Sequence, residues 1–145
     1  MKVYLDTCCI QRPLDSKSQI RIVLEAEAIL GIIEMCEAQK VELVSSEVLE
    51  LELDKNTISI RKQHGYAVLS RAGHRVSLND NIEKRAASFV KQGVKAMDAL
   101  HLACAEFAKV DFFCTCDARF LTRAKMIENL EVTVLSPLEL IQEVE

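Results

Sequence analysis

Short apolar runs separated by helix-length stretches are what most restrict the fold of this chain. The runs are Lys2 to Leu5, Val41 to Val44, Asp111 to Thr115 and Glu131 to Leu135, with a weaker extended segment at Arg75 to Leu78. Between them lie helical patterns. Ser16 to Gln39 reads as one long helix, with Ser16 or Ser18 as N-cap and apolar residues at Ile20, Val23, Leu24, Ile29, Ile32, Ile33 and Cys36. Ser46 can cap a helix from Glu47 that Asn56 interrupts, and the stretch onward to Ala72 reads as helical in pieces. Asn79 or Asn81 opens a helix towards Gln92 that Gly93 closes, Ala96 to Lys109 and Ala118 to Met126 are helical, and Ser136-Pro137 starts a last helix. Thr7 to Asp15, with Pro13, reads as a loop. This alternation predicts one α/β domain over residues 1–145, with a mainly parallel sheet covered on both faces.

Four acids stand out against that pattern: Asp6, Glu52, Asp98 and Asp117. Asp6 and Asp117 follow strands, and ligands of open parallel sheets bind at the carboxyl ends of strands. Asp98 falls in the first turn of its helix, where the dipole favours a carboxylate. Glu52 is selected from Glu47, Glu50 and Glu52 by helical phase. At about 100° per residue, Val48, Leu49, Leu51 and Leu53 define an apolar face, Glu52 projects near its middle, and Glu50 points away. Asp6, Asp98 and Asp117 taken alone each have a plain structural explanation, as a cap or a helix-terminal residue, whereas Glu52 on an apolar face does not. Gathered in one pocket, two carboxylates 4 Å apart repel by roughly 4 kcal/mol at an effective dielectric of 20. Such a cluster persists by holding protons or cations, and oxygen ligands suit Mg²⁺ or Mn²⁺. The expected chemistry is attack on a phosphate ester by water that one or two ions activate.

Composition narrows the classes. No apolar run approaches the ~20 residues of a membrane span, and Asp6 stands where a signal peptide would continue its apolar core. A cytoplasmic protein is expected. The six cysteines, Cys8, Cys9, Cys36, Cys104, Cys114 and Cys116, lack the paired spacing of a zinc site and read as buried thiols. A net charge of −4 counts mildly against nucleic acid, although local patches matter more than the sum.

At the acid-bearing segments the chain resembles a PIN domain, and within that superfamily the VapC-type toxins. Val3-Tyr4-Leu5-Asp6-Thr7 resembles the opening strand with its first acid and hydroxyl. Ser45-Ser46-Glu47-Val48-Leu49-Glu50-Leu51-Glu52-Leu53 is similar to the segment with the second acid. Lys95-Ala96-Met97-Asp98-Ala99-Leu100-His101-Leu102-Ala103 is the most specific match, and Thr115-Cys116-Asp117-Ala118-Arg119-Phe120-Leu121 resembles the closing strand and acid. The resemblance implies a three-layer α/β/α sandwich with a sheet of four to five strands. It implies a Mg²⁺- or Mn²⁺-dependent endoribonuclease that cleaves RNA phosphodiesters, a homodimer and, for a toxin, a cognate antitoxin protein. Metal ligation would fall to Asp6, Glu52, Asp98 and Asp117, with Thr7, Thr115 and His101 beside them. Cys8-Cys9 departs from the small polar residue usual after the first acid. A catalytically silent module that binds RNA or protein, and a phosphatase or DNA nuclease using the same acids, are the rival readings.

His101, one turn after Asp98, either orients an acid or contacts substrate, or is a hydrogen-bonded structural histidine. Two basic stretches could hold RNA phosphates: Arg61, Lys62, His64, Arg71, His74 and Arg75, and Arg119, Arg123 and Lys125. Arg119, two residues after Asp117, is the first single candidate and Arg12 the second.

Overall fold

The computed structural model describes residues 1–145. Five strands, β1 (Lys2–Leu5), β2 (Glu42–Ser46), β3 (His74–Val76), β4 (Phe112–Cys114) and β5 (Thr133–Leu135), form one sheet in the order β3-β2-β1-β4-β5, and every neighbouring pair is parallel. Val3, Tyr4 and Leu5 are wholly buried, as a central strand covered on both faces requires. The eight helices are α1 (Thr7–Gln11), α2 (Ile20–Glu37), α3 (Glu47–Asp54), α4 (Ser59–Leu69), α5 (Asp80–Lys91), α6 (Ala96–Phe107), α7 (Ala118–Lys125) and α8 (Pro137–Val144). α2 packs with α8 and α5 with α6. The sheet flanked by helices is the α/β/α sandwich that the sequence predicts, with five strands.

The strand order places the site. From β1 the chain builds outward through β2 and β3 on one side, then returns to lay β4 and β5 on the other. The switch point therefore lies between β1 and β4, where parallel sheets open a crevice at their carboxyl ends. Leu5 is in register with Cys114, and the next amide, Asp6 N–H, donates to the Cys114 carbonyl at 2.9 Å. Asp6 and Thr115 thus emerge side by side.

Local capping signals hold. Ser46 Oγ accepts from Leu49 N, Asn79 from Ile82 N, and Ser136 with Glu139 forms a capping box. Gly93 ends its segment at φ +96°, a left-handed conformation that glycine adopts without a Cβ penalty. Two expectations need correction. Thr7 to Gln11 is a helix, not a loop: Asp6 caps it by accepting from Thr7 N, and a three-residue 3₁₀ turn, Arg12–Leu14, follows. Five residues are too few to display a helical period. The long helix begins at Ile20 rather than after Ser16 or Ser18, and Gln19 at its N-cap makes no side-chain cap bond. Its first turns also face differently from the predicted stripe. Ile20, Val23 and Leu24 are exposed while Glu25 is buried, because Glu25 turns inward to meet Arg12 at 3.0 Å.

Candidate metal and nucleic-acid site

Asp6 leaves the end of β1 nearly buried and fully engaged. Oδ1 accepts from Thr7 N at 2.8 Å, and Oδ2 accepts from the Thr115 hydroxyl at 2.9 Å and the Cys8 thiol at 3.4 Å. Burial first, and the Cys8 sulfur second, push its carboxyl from 3.8 up to about 7, against the partial relief that His101 supplies.

Glu52 reaches the same place from α3. Its Oε1 accepts from the Thr7 hydroxyl at 2.6 Å and from His101 Nε2. The helical-phase argument aimed Glu52 inward, where it meets Thr7 and His101, but with one wrong neighbour. Leu51 is 43% exposed, so the buried stripe is Val48, Leu49 and Leu53, with Glu52 at its margin. Glu50 turns outward to a two-pronged bond with Arg75, and Glu47 accepts from Leu78 N.

His101 is completely buried, and it is hydrogen-bonded on both ring nitrogens. Nε2 faces Glu52, with Asp6 Oδ1 at 3.9 Å, and Nδ1 lies 2.6 Å from the Tyr4 hydroxyl. Tyr4 in turn meets Ser46 Oγ at 2.7 Å, the same oxygen that caps α3. Despite burial, which opposes a charged imidazole, the Glu52 hydrogen bond and the charges of Asp6, Glu52 and Asp98 raise the His101 pKa. Reciprocally, against its own desolvation, the His101 hydrogen bond lowers that of Glu52. One oxygen each from Asp6 and Glu52 and one ring nitrogen of His101 lie within 4.8 Å of one another. His101 is therefore more central than its sequence position beside Asp98 suggests. The missing signal was Tyr4, 97 residues away.

Asp98 and Asp117 lie outside that buried group and line a neighbouring cleft. Asp98 sits in the first turn of α6. Burial, then the charge of Asp6, raise its carboxyl from 3.8 to about 6, and Asp117 adds to the rise. Asp117 caps α7 through Oδ1, which accepts from Arg119 N at 3.0 Å and Phe120 N at 3.1 Å, leaving Oδ2 outside those bonds. Asp6 and Asp117 are thus both helix caps. Thr115 links the halves, donating to Asp6 and accepting from Asp117 N at 3.1 Å.

Asp98 and Asp117 open onto a cleft of about 620 Å³ lined by the cations Lys95, Arg119 and Arg123 and by the apolar Val94, Phe120 and Met126. A Cβ on Gly93 would sit 3.2 Å from Arg123 Nε, so the bare glycine lets that guanidinium lie against the backbone. Arg119 stands where the sequence puts it, exposed beside Asp117. Arg12 does not serve as a free cation: its guanidinium is largely buried and bonded to Asp15 at 2.9 Å and Glu25 at 3.0 Å. The first basic stretch is mostly neutralised too, with Arg61 on Asp15, Arg71 on Glu37 and Arg75 on Glu50. Arg123 and Lys95 join Arg119 instead, and helix α7 presents Arg119 and Arg123 one turn apart.

The donor set suits a hard divalent cation. Asp6 and Glu52 meet beside His101, Asp98 lies within reach of the Asp6 and Asp117 charges, and the raised carboxyls of Asp6 and Asp98 would fall beside a positive charge.

Comparison with known proteins bears on the family and the fold. The family model described as PIN domain matches residues 3–126. No curated protein matches the chain closely enough to count as a relative. Among solved structures, VapBC2 from Rickettsia felis, bound to a DNA fragment from its promoter, superposes with a TM-score of 0.58 at 14% identity, covering 93% of this chain and 99% of that one. PAE2754 from Pyrobaculum aerophilum superposes with a TM-score of 0.56 at 15% identity, covering 99% and 98%. At these identities the likeness is one of fold. No helix is long and apolar enough to cross a membrane.

Proposed function

The chain belongs to the PIN domain family, and on that premise we propose that it is a divalent-metal-dependent endoribonuclease, the toxin of a toxin–antitoxin pair. The observation that carries the reading is that Asp6 and Glu52 meet beside His101 at the β1/β4 switch point, while Asp98, which feels the charges of Asp6 and Asp117, lines with Asp117 a cleft that has unpaired cationic side chains. Asp6, Glu52, Asp98 and Asp117 would hold Mg²⁺ or Mn²⁺. When bound, the cation neutralises the carboxylates, activates water and stabilises charge on the phosphodiester in the transition state.

The protein's own groups do the rest. Thr7 and Thr115 hold the carboxylates of Glu52 and Asp6 at fixed angles through hydroxyl hydrogen bonds. His101 fixes Glu52, and Tyr4 fixes His101, so the buried half of the site is preorganised before substrate arrives. Arg119, Arg123 and Lys95 meet the phosphates on either side of the scissile bond, contacts that position a strand without reading its sequence. Sparse aromatics at the cleft argue against extended base stacking.

An antitoxin protein covering the cleft, a homodimer and a cytoplasmic setting complete the reading. The VapBC2 complex, a toxin–antitoxin assembly of the same fold, supports the antitoxin. The deciding experiment strips the protein with a chelator and offers RNA, DNA and a phosphomonoester with and without Mn²⁺. RNA cleavage that needs Mn²⁺ or Mg²⁺ and is lost in Asp98→Asn supports the proposal. Preference for DNA or the monoester assigns the acids to another esterase, and absence of any Mn²⁺-dependent stabilisation points to a silent binding module.

A further inference from the structure

Directly behind Asp6 the fold assembles a second group of donors. Cys8 and Cys9 open α1, and Cys116 follows β4; their three sulfurs lie within 4.8 Å of one another. Cys9 Sγ is 3.4 Å from Cys116 Sγ. None of the six cysteines is in a disulfide. Two features distinguish this group from thiols that merely fill a core. The Cys116 amide donates to Cys8 Sγ at 3.3 Å, an N–H···S bond of the kind that supports metal-bound sulfur. The Arg12 guanidinium lies beside the Cys116 sulfur, largely buried, and its Nε has no hydrogen-bond partner.

From these positions we infer that Cys8, Cys9 and Cys116 form a binding site for one soft d¹⁰ cation of the Zn²⁺ or Cd²⁺ class, separate from the carboxylate site. Sulfur is the ligand such ions select over the oxygen donors that hold Mg²⁺. With metal–sulfur bonds of about 2.3 Å, sulfurs around one ion stand about 3.8–4.0 Å apart. Cys9 and Cys116 stand slightly closer than that at 3.4 Å, and no pair of the three is more than 4.8 Å apart, so small side-chain rotations suffice. On binding, three S–metal bonds form and three thiol protons leave to solvent, which makes a dication with three thiolates carry one negative charge. Arg12 is placed to offset it. Local spacing hid the site, since Cys8-Cys9 and Cys114-x-Cys116 match no zinc pattern; the pairing of β1 with β4 brings residues 107 apart into contact. The site is also tied to the acids. Cys8 Sγ lies 3.4 Å from Asp6 Oδ2 and 3.5 Å from Thr115 Oγ1, so an ion that takes Cys8 removes a hydrogen-bond donor from Asp6.

The test is titration of the reduced, chelator-stripped chain with Cd²⁺ in thiol-free buffer containing excess Mg²⁺, reading the ultraviolet thiolate-to-metal charge-transfer band. One equivalent should saturate the band. Cys9→Ser and Cys116→Ser should each abolish it, while Cys36→Ser, Cys104→Ser and Asp98→Asn keep it. The Asp98→Asn arm separates this site from the proposed nuclease centre, whose failure would leave the band intact. X-ray absorption of Cd²⁺-loaded wild type covers the case of a variant that does not fold: a shell of three sulfurs supports the site. An oxygen-dominated shell, no band in wild type, or a band that survives in folded Cys9→Ser and Cys116→Ser overturns it.

Discussion

The Tyr4 hydroxyl lies 2.6 Å from His101 Nδ1, and this contact ties the central strand to the helix that carries Asp98. Both side chains are fully buried, and Ser46 and Glu52 extend the relay at either end. The relay accommodates both states of the imidazole. A neutral ring accepts from Tyr4 at Nδ1 and donates to Glu52 at Nε2; a protonated ring donates to both.

Tyr4→Phe should therefore destabilise the protein by about 1–3 kcal/mol, since it leaves a buried ring nitrogen and the Ser46 hydroxyl short of a partner. A denaturant titration reads this as a lower midpoint at unchanged slope. An unchanged midpoint would mean that the relay carries no net stability.

Asp98→Asn should lower RNA cleavage by a factor of about 100 or more, as expected when a group stabilising the transition state is lost. The metal-free variant should melt no lower than wild type, because the substitution removes a carboxylate whose ionisation its neighbours oppose. A drop in melting temperature together with activity would assign Asp98 a structural role.

The metal-free protein should lose stability as pH rises. Asp6 holds its proton more tightly folded, at about 7, than its ordinary value of 3.8. The folded state therefore binds more protons between these values, and the Asp6 contribution is full below about pH 4 and gone above about pH 7, a change of at most about 4 kcal/mol. Asp98, raised to about 6, acts in the same direction. The lowered Glu52 acts oppositely, gaining stability as pH rises through its acid range. Thermal melts from pH 5 to pH 8 should fall without metal, and added Mn²⁺ should restore stability most at pH 8, where the ligands are ionised. Equal Mn²⁺ stabilisation at both ends would contradict this linkage.

Replacing Arg119 and Arg123 with Ala should weaken RNA binding across all sequences. Each lost phosphate contact reduces the salt slope of log K by about 0.7 for a single strand. Arg12→Ala should instead act on stability, because it leaves the buried Glu25 carboxylate only the exposed Arg21, at 3.5 Å. Binding isotherms over a salt series, beside melts of each variant, distinguish the two outcomes.

Much of the architecture was legible because it is written in short-range signals. Ser46, Asn79 and Ser136 announce their helices through bonds three residues away. Asp6 and Asp117 declare themselves by ending apolar strands. The inward direction of Glu52 was readable from helical phase although Leu51 faces solvent, because Val48, Leu49 and Leu53 still define the stripe. The helix at Thr7–Gln11 escaped notice for want of length, and the start of α2 was misplaced because Ser16 and Ser18 lie in the link between the 3₁₀ turn, where Lys17 Nζ donates to the Pro13 and Asp15 carbonyls, and the helix that begins at Ile20.

The sequence by itself determined the alternation of buried strands and capped helices, and with it a parallel sheet bearing acids at strand ends. Periodicity and capping act over a few residues, so they can be read without knowing the fold. Only the tertiary structure decided that His101 would grip Glu52 from 49 residues away, that Arg12 would be spent on Glu25, and that three thiols would gather behind Asp6. Those contacts arise from strand order and register, which bring together residues whose separation along the chain carries no local signature.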